Sequence, residues 1–295
     1  MGMKALVDGD LILYRTGFAI EKSKYLVEVI NPSGYSEFHK YDGKKEADSW
    51  LKNALTGVIG VSGVVWARKE LEPVEHGYQI INNTLHELQE RYGSDIEIFI
   101  SGHTNFRDRL WTTKKYKGNR DAQQKPTHYE ALKTYLMERY GAKITDGIEA
   151  DDAIGIHSTS STICVSLDKD LDQIPGYHYD WVNKDEYIIS AKQAKTMFYM
   201  QLMAGDPTDN VQGIPGIGPA KAMKALANCP SPKDMMEEVV RGYKEAFKDD
   251  WYTRLIETAQ LVYILRADHP VTWTTTKDHA HLVEIVSRDR DAEAA

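Results

Sequence analysis

Cysteine is nearly absent. Cys164 and Cys229 are the only two, far apart and at no metal-ligand spacing. This excludes a disulfide scaffold and a thiolate zinc site, and implies two reduced structural thiols in a cytoplasmic chain. Long apolar runs are missing as well. "VIGVSGVVWA" (58–67), the most apolar later stretch, is too short to span a bilayer, and Asp8 and Asp10 interrupt the apolar run near the N-terminus. Neither a membrane contact nor a secretory leader is expected. Internal repeats and low-complexity tracts are absent. A positive net charge is absent too: the chain carries −8, which at first argues against a nucleic-acid partner.

What is present begins with the distribution of that charge. From Asn105 to Lys125 seven basic residues, Arg107, Arg109, Lys114, Lys115, Lys117, Arg120 and Lys125, face only Asp108 and Asp121. A segment of +5 inside an acidic chain suits a phosphate backbone; a solvated basic loop is the plain alternative. The 295 residues are 42% hydrophobic and 27% charged, ordinary values for one large domain or one domain with an appendage.

Short β-rich runs end in acidic or turn residues. "KALVD" (4–8), "DIEIFIS" (95–101), "GAKITD" (141–146), "TICVSLD" (162–168) and "YHYDWV" (177–182) read as strands. The patterns at 75–93 and 127–141 read as helices closed by Gly93 and Gly141. "NPSG" between two mixed runs marks a hairpin over 25–41. Alternating strands and helices predict an α/β fold with a mostly parallel sheet, whose active site lies beyond the carboxyl ends of the strands. After about residue 190 helical patterns take over until a strand-like "PVTWTT" (270–275), so a boundary is expected between a catalytic part (1–190) and a mainly helical part (191–295).

Acidic residues gather at the strand ends. Asp8 and Asp10 follow the first strand, and "EADD" places Glu149, Asp151 and Asp152 at a helix start. Asp168 and Asp170 follow "TICVS", and "GDPTDN" holds Asp206 and Asp209. Each group alone has a structural explanation as a helix-start or turn acid. Nine carboxylates gathered at one sheet edge would instead repel strongly without cations. All-oxygen ligands suit Mg²⁺ or Mn²⁺, and two ions roughly 4 Å apart can clamp a phosphodiester.

Downstream, Gly213, Gly216 and Gly218 form G-x-x-G-x-G between two helical patterns, followed by Lys221 and Lys224. This is not the dinucleotide fingerprint. Glycine turns between helices expose N–H groups that can grip a DNA phosphate. In "KKYKGNR" (114–120), Tyr116 among cations offers a stacking ring for single-stranded nucleic acid.

Taken together, "LVDGD", "YKGNR", "EADD", "SLDKDLDQ", "GDPTDN" and "GIPGIGPAKA" resemble, in order, the 5′-nuclease family of flap endonucleases and 5′→3′ exonucleases, most of all its phage-encoded exonucleases. The resemblance implies a PIN-like catalytic domain with an arch around 104–126 and a helix–three-turn–helix around 200–228 that grips duplex DNA. It implies that Asp8, Glu149 and Asp151 hold one Mg²⁺ (or Mn²⁺), and that Asp168, Asp170, Asp206 and Asp209 surround a second. Asp152 supports them, and Asp10 is either ligand or support. Lys117 and Arg120 resemble arch residues that contact the scissile phosphate. Arg107, Lys114, Lys115, Tyr116 and the glycine turn would meet DNA, with K⁺ at that turn.

The implied protein is a monomer acting on DNA 5′ ends and flaps, or on RNA–DNA hybrids, in a cytoplasm (the host's, for a phage chain). Two departures stand out: "FISGHTNFR" lacks the family's usual aspartate, and Gln201 replaces a frequent basic residue. Two rivals remain. A haloacid-dehalogenase-type phosphatase would use Asp8 as nucleophile and Asp10 as acid, and a non-catalytic DNA-structure binder would keep the glycine turn without chemistry.

Overall fold

Ala5, Leu6 and Val7 are fully buried, so β1 (Lys4–Asp8) has apolar cover on both faces, as a central parallel strand requires. The computed structural model, which describes residues 3–120, 124–266 and 272–293, places it in a six-stranded sheet. Around it run β5 (Ile96–Asn105), β6 (Lys143–Gly147), β7 (Thr162–Val165), β8 (Gly176–Asp180) and β9 (Asp185–Ile189), in the order β6-β5-β1-β7-β8-β9. All neighbours are parallel except β8 and β9. β1 is flanked by β5 on one side and β7 on the other, so the chain crosses β1 between β6 and β7, carried by α5 (Ala150–His157). That reversal is where open α/β sheets form clefts at their carboxyl ends.

The five strands expected between residues 4 and 182 are all present. The helices predicted over 75–93 and 127–141 are α3 (Val74–Tyr92) and α4 (Tyr129–Tyr140), each ending at a left-handed glycine, Gly93 (φ +85°) and Gly141 (φ +68°). The hairpin is also present, as β2 (Glu21–Ile30) and β3 (Ser36–Tyr41) joined through Asn31, whose side chain accepts from Ser33 and Tyr35.

The expected boundary at residue 190 is not where the chain divides. One compact unit comprises Met1–Leu11, His86–Gln124 and Met137–Ala295; the other comprises Ile12–Leu85 and Lys125–Leu136. The second holds an antiparallel sheet, β3-β2-β4 with β4 at Ser62–Leu71, together with α2 (Lys44–Leu55) and most of α1 (Gly9–Ala19). The first holds the parallel sheet and the helices after residue 190. These are α6 (Ala191–Ala204), α7 (Pro219–Leu226), α8 (Pro232–Phe247), α9 (Trp251–Val262) and α10 (Lys277–Glu293).

The helices share a core built on Tyr199, Leu202, Met236, Tyr243, Leu255 and Trp273. Their dependence on buried apolar contacts explains why a composition change at 190 marks no structural break. Of the expected strand at 270–275, the described residues form a 3₁₀ turn (Trp273–Thr275). Residues 270 and 271 lie outside the described residues. Among the described residues no helix is long and apolar enough to cross a membrane.

Between α6 and α7 the chain makes a two-residue ribbon, β10 (Gly205–Asp206) against β11 (Val211–Gln212), then the glycine turn. Gly205 and Gly213 sit back to back: a Cβ on Gly213 would lie 2.2 Å from the Gly205 nitrogen. Gly213 was expected to offer its N–H to DNA. It is buried, and its missing side chain serves this close approach instead.

Candidate metal and phosphate site

The site is built at the carboxyl ends of β1, β5 and β7. Asp8 ends β1 and is buried; its Oδ1 accepts from Leu11 N (3.2 Å) and its Oδ2 from the Ser166 hydroxyl (2.9 Å). Gly9 then starts α1 directly beneath β5, where a Cβ would strike Phe99 O at 2.6 Å. This tight turn brings Asp10 over the end of β5, where its carboxylate accepts the Ser101 N–H at 3.1 and 3.2 Å. Ser101 Oγ accepts in turn from Ala150 N (3.0 Å), tying β5 to the start of α5. Glu149 is the N-cap of α5, with Asp151 and Asp152 in its first turn. Asp168 caps the 3₁₀ turn after β7 by accepting from Asp170 N (2.9 Å).

Burial and mutual repulsion raise these carboxylates above the usual range. Asp8 is pushed up to about 7, first by burial and then by Asp10. Asp170 is pushed up to about 8 by burial and by Asp168, Asp206 and Asp209. Asp10, Asp151 and Asp168 are raised as well, each chiefly by burial; Asp8, Asp168 and Glu149 press further on Asp151. A cavity of ≈ 20 Å³ lies among Glu149, Asp151, Asp170, Asp206 and Asp209, large enough for one water-sized particle.

Cations and hydroxyls of the same chain hold these acids. Lys117 pairs with Glu149 and stands 3.5 Å from Asp209, and Arg120 pairs with Asp209. Burial alone would lower Lys117, but Glu149 and Asp209 outweigh it and raise its pKa. The Tyr116 hydroxyl donates to Glu149 (3.0 Å) and Asp209 (2.9 Å). Bonds to main-chain carbonyls lay the "YKGNR" segment on the "GDPTDN" turn: Lys117 N donates to Asp209 O (2.8 Å), and the Asn119 side-chain amide to Pro207 O and Thr208 O (3.0 Å each).

With Glu149 and Asp209 so engaged, no three acidic, histidine or cysteine side chains among the described residues are placed to hold one ion. The donor chemistry nonetheless fits a hard divalent ion: buried oxygen ligands, raised by one another's charge, around an ion-sized space.

Two basic-segment residues expected at DNA face inward. Arg107 is 2% exposed. It grips Asp152 through two bonds (2.6 and 2.8 Å) and donates to Leu261 O (2.9 Å) and Tyr263 O (2.6 Å). Burial would raise Asp152, but the guanidinium holds it below the usual range, so Asp152 is a buried ion-pair partner in the first turn of α5. Tyr116 is 5% exposed, its ring packed in the helical core, which rules it out as a stacking platform. Lys114, Lys115, Lys221 and Lys224 are exposed, as are Gly216 (φ +75°) and Gly218.

Neutral partners escaped the sequence reading. Ser101, Ser166 and Gln201 touch the acids directly, Gln201 donating to Asp170 Oδ1 (2.7 Å) and accepting from Gln173 (2.6 Å). Only their nearness to acidic motifs could have flagged the serines; Gln201 stands where a basic residue was expected.

The raised groups set a pH dependence. An unfolded chain releases the Asp8 and Asp170 protons near 3.8, whereas the folded chain keeps them to about 7 and 8. Across about pH 4 to 8 the folded state therefore binds more protons, and stability falls as pH rises. Thermal melts in EDTA are expected to show a midpoint that drops from pH 5 to pH 8; a flat or rising midpoint contradicts this clustering. Mg²⁺ added at pH 8 should raise the midpoint again.

Fold and site together define a class: an α/β protein with a buried, all-oxygen acidic centre at the carboxyl edge of a parallel sheet, met by lysine and arginine. Its relatives are 5′→3′ exonucleases and flap endonucleases. The chain is 26% identical over 180 residues to the exodeoxyribonuclease of Enterobacteria phage T3, covering 56% of this chain and 59% of that one. It is 29% identical over 182 residues to the 5′-3′ exonuclease of Buchnera aphidicola (55% and 63%) and 27% identical over 158 residues to the flap endonuclease Xni of Shewanella sediminis (48% and 62%). The chain thus spans less than two thirds of each of these relatives. No family model matches. Among solved structures, a T5 5′-exonuclease with zinc bound aligns at 19% identity over 65% of this chain and 79% of its own, with a TM-score of 0.43. A T5 protein co-crystallised with metal ions aligns at 18% identity over 71% and 88%, TM-score 0.46.

Proposed function

We propose that this chain is a divalent-metal-dependent 5′→3′ exonuclease and flap endonuclease, cutting DNA phosphodiesters at or near 5′ ends and leaving 5′-phosphates. The observation that carries the reading is the meeting of buried and half-buried acids from four separate segments with Lys117 and Arg120. A phosphatase of the haloacid-dehalogenase type would use Asp8, Asp10 and a later acidic pair such as that in "GDPTDN", but has no need of "EADD", of "YKGNR" or of the glycine turn. In this reading Asp8, Glu149 and Asp151 hold one Mg²⁺, and Asp168, Asp170, Asp206 and Asp209 hold a second. Asp10, fixed on the Ser101 N–H, supplies the carboxylate that "FISG" lacks. Ions held there would neutralise charge on the phosphate and lower the pKa of the attacking water.

The chain's own residues do the remaining work. Lys117 and Arg120, poised on Glu149 and Asp209, turn to the scissile phosphate and stabilise its growing negative charge. Tyr116 keeps Glu149 and Asp209 together from below. The exposed turn at Gly216 and Gly218, with Lys221 and Lys224, grips duplex DNA as a helix–three-turn–helix and takes K⁺. The chain works as a monomer, with RNA–DNA hybrids a second substrate.

Cleavage of a 5′-labelled duplex and a 5′-flap tests this. Label release in Mg²⁺ and none in EDTA is expected. Phosphate release from p-nitrophenyl phosphate without strand cleavage would favour the phosphatase, and DNA binding without cleavage the inert binder.

A further inference from the structure

Apart from the acidic centre, one face of α9 organises a second polar cavity. Arg254, Glu257 and Thr258 stand at i, i+3 and i+4 and share that face. Glu257, 6% exposed, accepts from the N–H and the hydroxyl of both Thr112 and Thr113 at 2.6 to 3.0 Å. Burial would raise its pKa, but these four donors lower it, and they fasten the loop carrying Lys114 to α9. The Thr258 hydroxyl donates to Gln212 O (3.1 Å) and fastens β11 to the same helix.

Between these segments lies a cavity of ≈ 470 Å³, lined by Lys114, Arg254, Gln212, Thr253 and Asp250 with the Thr112–Thr113 turn. This volume falls within the about 300–1,000 Å³ of ligand sites. A cleft of ≈ 10 Å³ shares Lys114, Gln212 and Arg254 with it, and shares Val211 and Leu261 with the cavity at the acidic centre. The two cavities are therefore neighbours.

The cavity lining carries two cations, Lys114 and Arg254, against one carboxylate, Asp250, and so stays net positive. Among the described residues neither Lys114 nor Arg254 makes an ion pair; Arg254 lies over the Phe247 ring at 5.6 Å, which holds it in place without cancelling its charge. Glu257 is committed to its four donors. Two cations, one of them held over an aromatic ring, outnumber the single carboxylate and, with amide and hydroxyl groups beside the acidic centre, match an anion repeated along a chain.

We infer that this cavity holds a backbone phosphate of the DNA substrate, close to the bond being cut, with Arg254 and Lys114 as its ligands. The inference rests on the nuclease reading. The test is binding of a fluorescent 5′-flap by anisotropy in EDTA, at several salt concentrations, for wild type, Arg254→Gln, Lys114→Gln and the double variant. Each single change is expected to weaken binding several-fold and flatten the salt slope by about one, the double by about two, while Arg254→Lys retains most of the slope.

Unchanged affinity and slope in both single variants, in a protein that binds DNA, overturns the cavity assignment alone. Lys114 is in an exposed loop, so its variant reads out even where Arg254→Gln does not fold. A wild type that fails to bind DNA overturns both this inference and the nuclease reading. Inorganic phosphate that binds the wild type and fails to bind Arg254→Gln, while neither single change alters flap binding, would assign the cavity to free phosphate and overturn the proposal.

Discussion

Asp168→Asn is expected to lower cleavage by at least about 10²–10³-fold, the scale on which single groups aimed at transition-state charge act, while leaving DNA affinity and folding intact. Asp168 caps the turn after β7 by accepting from Asp170 N, and an asparagine oxygen accepts the same bond. The substitution therefore removes charge and leaves the local structure in place. In EDTA it should also raise the melting midpoint slightly, because burial and neighbouring acids hold the Asp168 carboxyl at a raised pKa. Loss of folding along with activity would instead make Asp168 a purely structural cap. Single-turnover cleavage, anisotropy and thermal melts on one preparation separate the two.

Arg107→Met is expected to have the largest effect on stability. It strips Asp152 of its two guanidinium bonds and leaves the carboxylate fully buried with only the Leu265 and Glu149 N–H groups. Breaking one side of a buried pair costs about 3–5 kcal/mol, a fall of roughly 6–20 °C in melting temperature for a protein of this size class. Replacing both partners, Arg107→Met with Asp152→Leu, should recover much of that stability yet not the activity. Asp152 also anchors the turn that carries Glu149 and Asp151. Equal melting temperatures for wild type and Arg107→Met would contradict the buried pairing.

These two residues mark the division between what was legible in the chain and what was not. Asp168 follows an apolar run and precedes more acids, so a strand end and its chemistry are both visible locally. The same holds for Asp8 and for the helix-start acids at 149–152. Arg107 carried the opposite message. It belongs to a +5 segment that looks solvent-facing, and its partner lies 45 positions away. Burial of a charge depends on that tertiary pairing, which no local pattern records. Tyr116 was misread for the same reason, since a ring beside cations looks the same whether it stacks on a base or packs in the helical core. β4 escaped notice because most of its residues are exposed and it pairs only with β2. Serines and glutamines that orient carboxylates carry no periodicity at all.

The central claim is that these carboxylates act together as a divalent-metal centre. Calorimetric titration of Mn²⁺ into metal-free protein near pH 7 tests it most directly. Saturable uptake with release of protons is predicted, because Asp8 and Asp170 must give theirs up to bind, and it should weaken sharply in Asp168→Asn. No saturable uptake by the wild type, or uptake that Asp168→Asn leaves unchanged, would contradict the account.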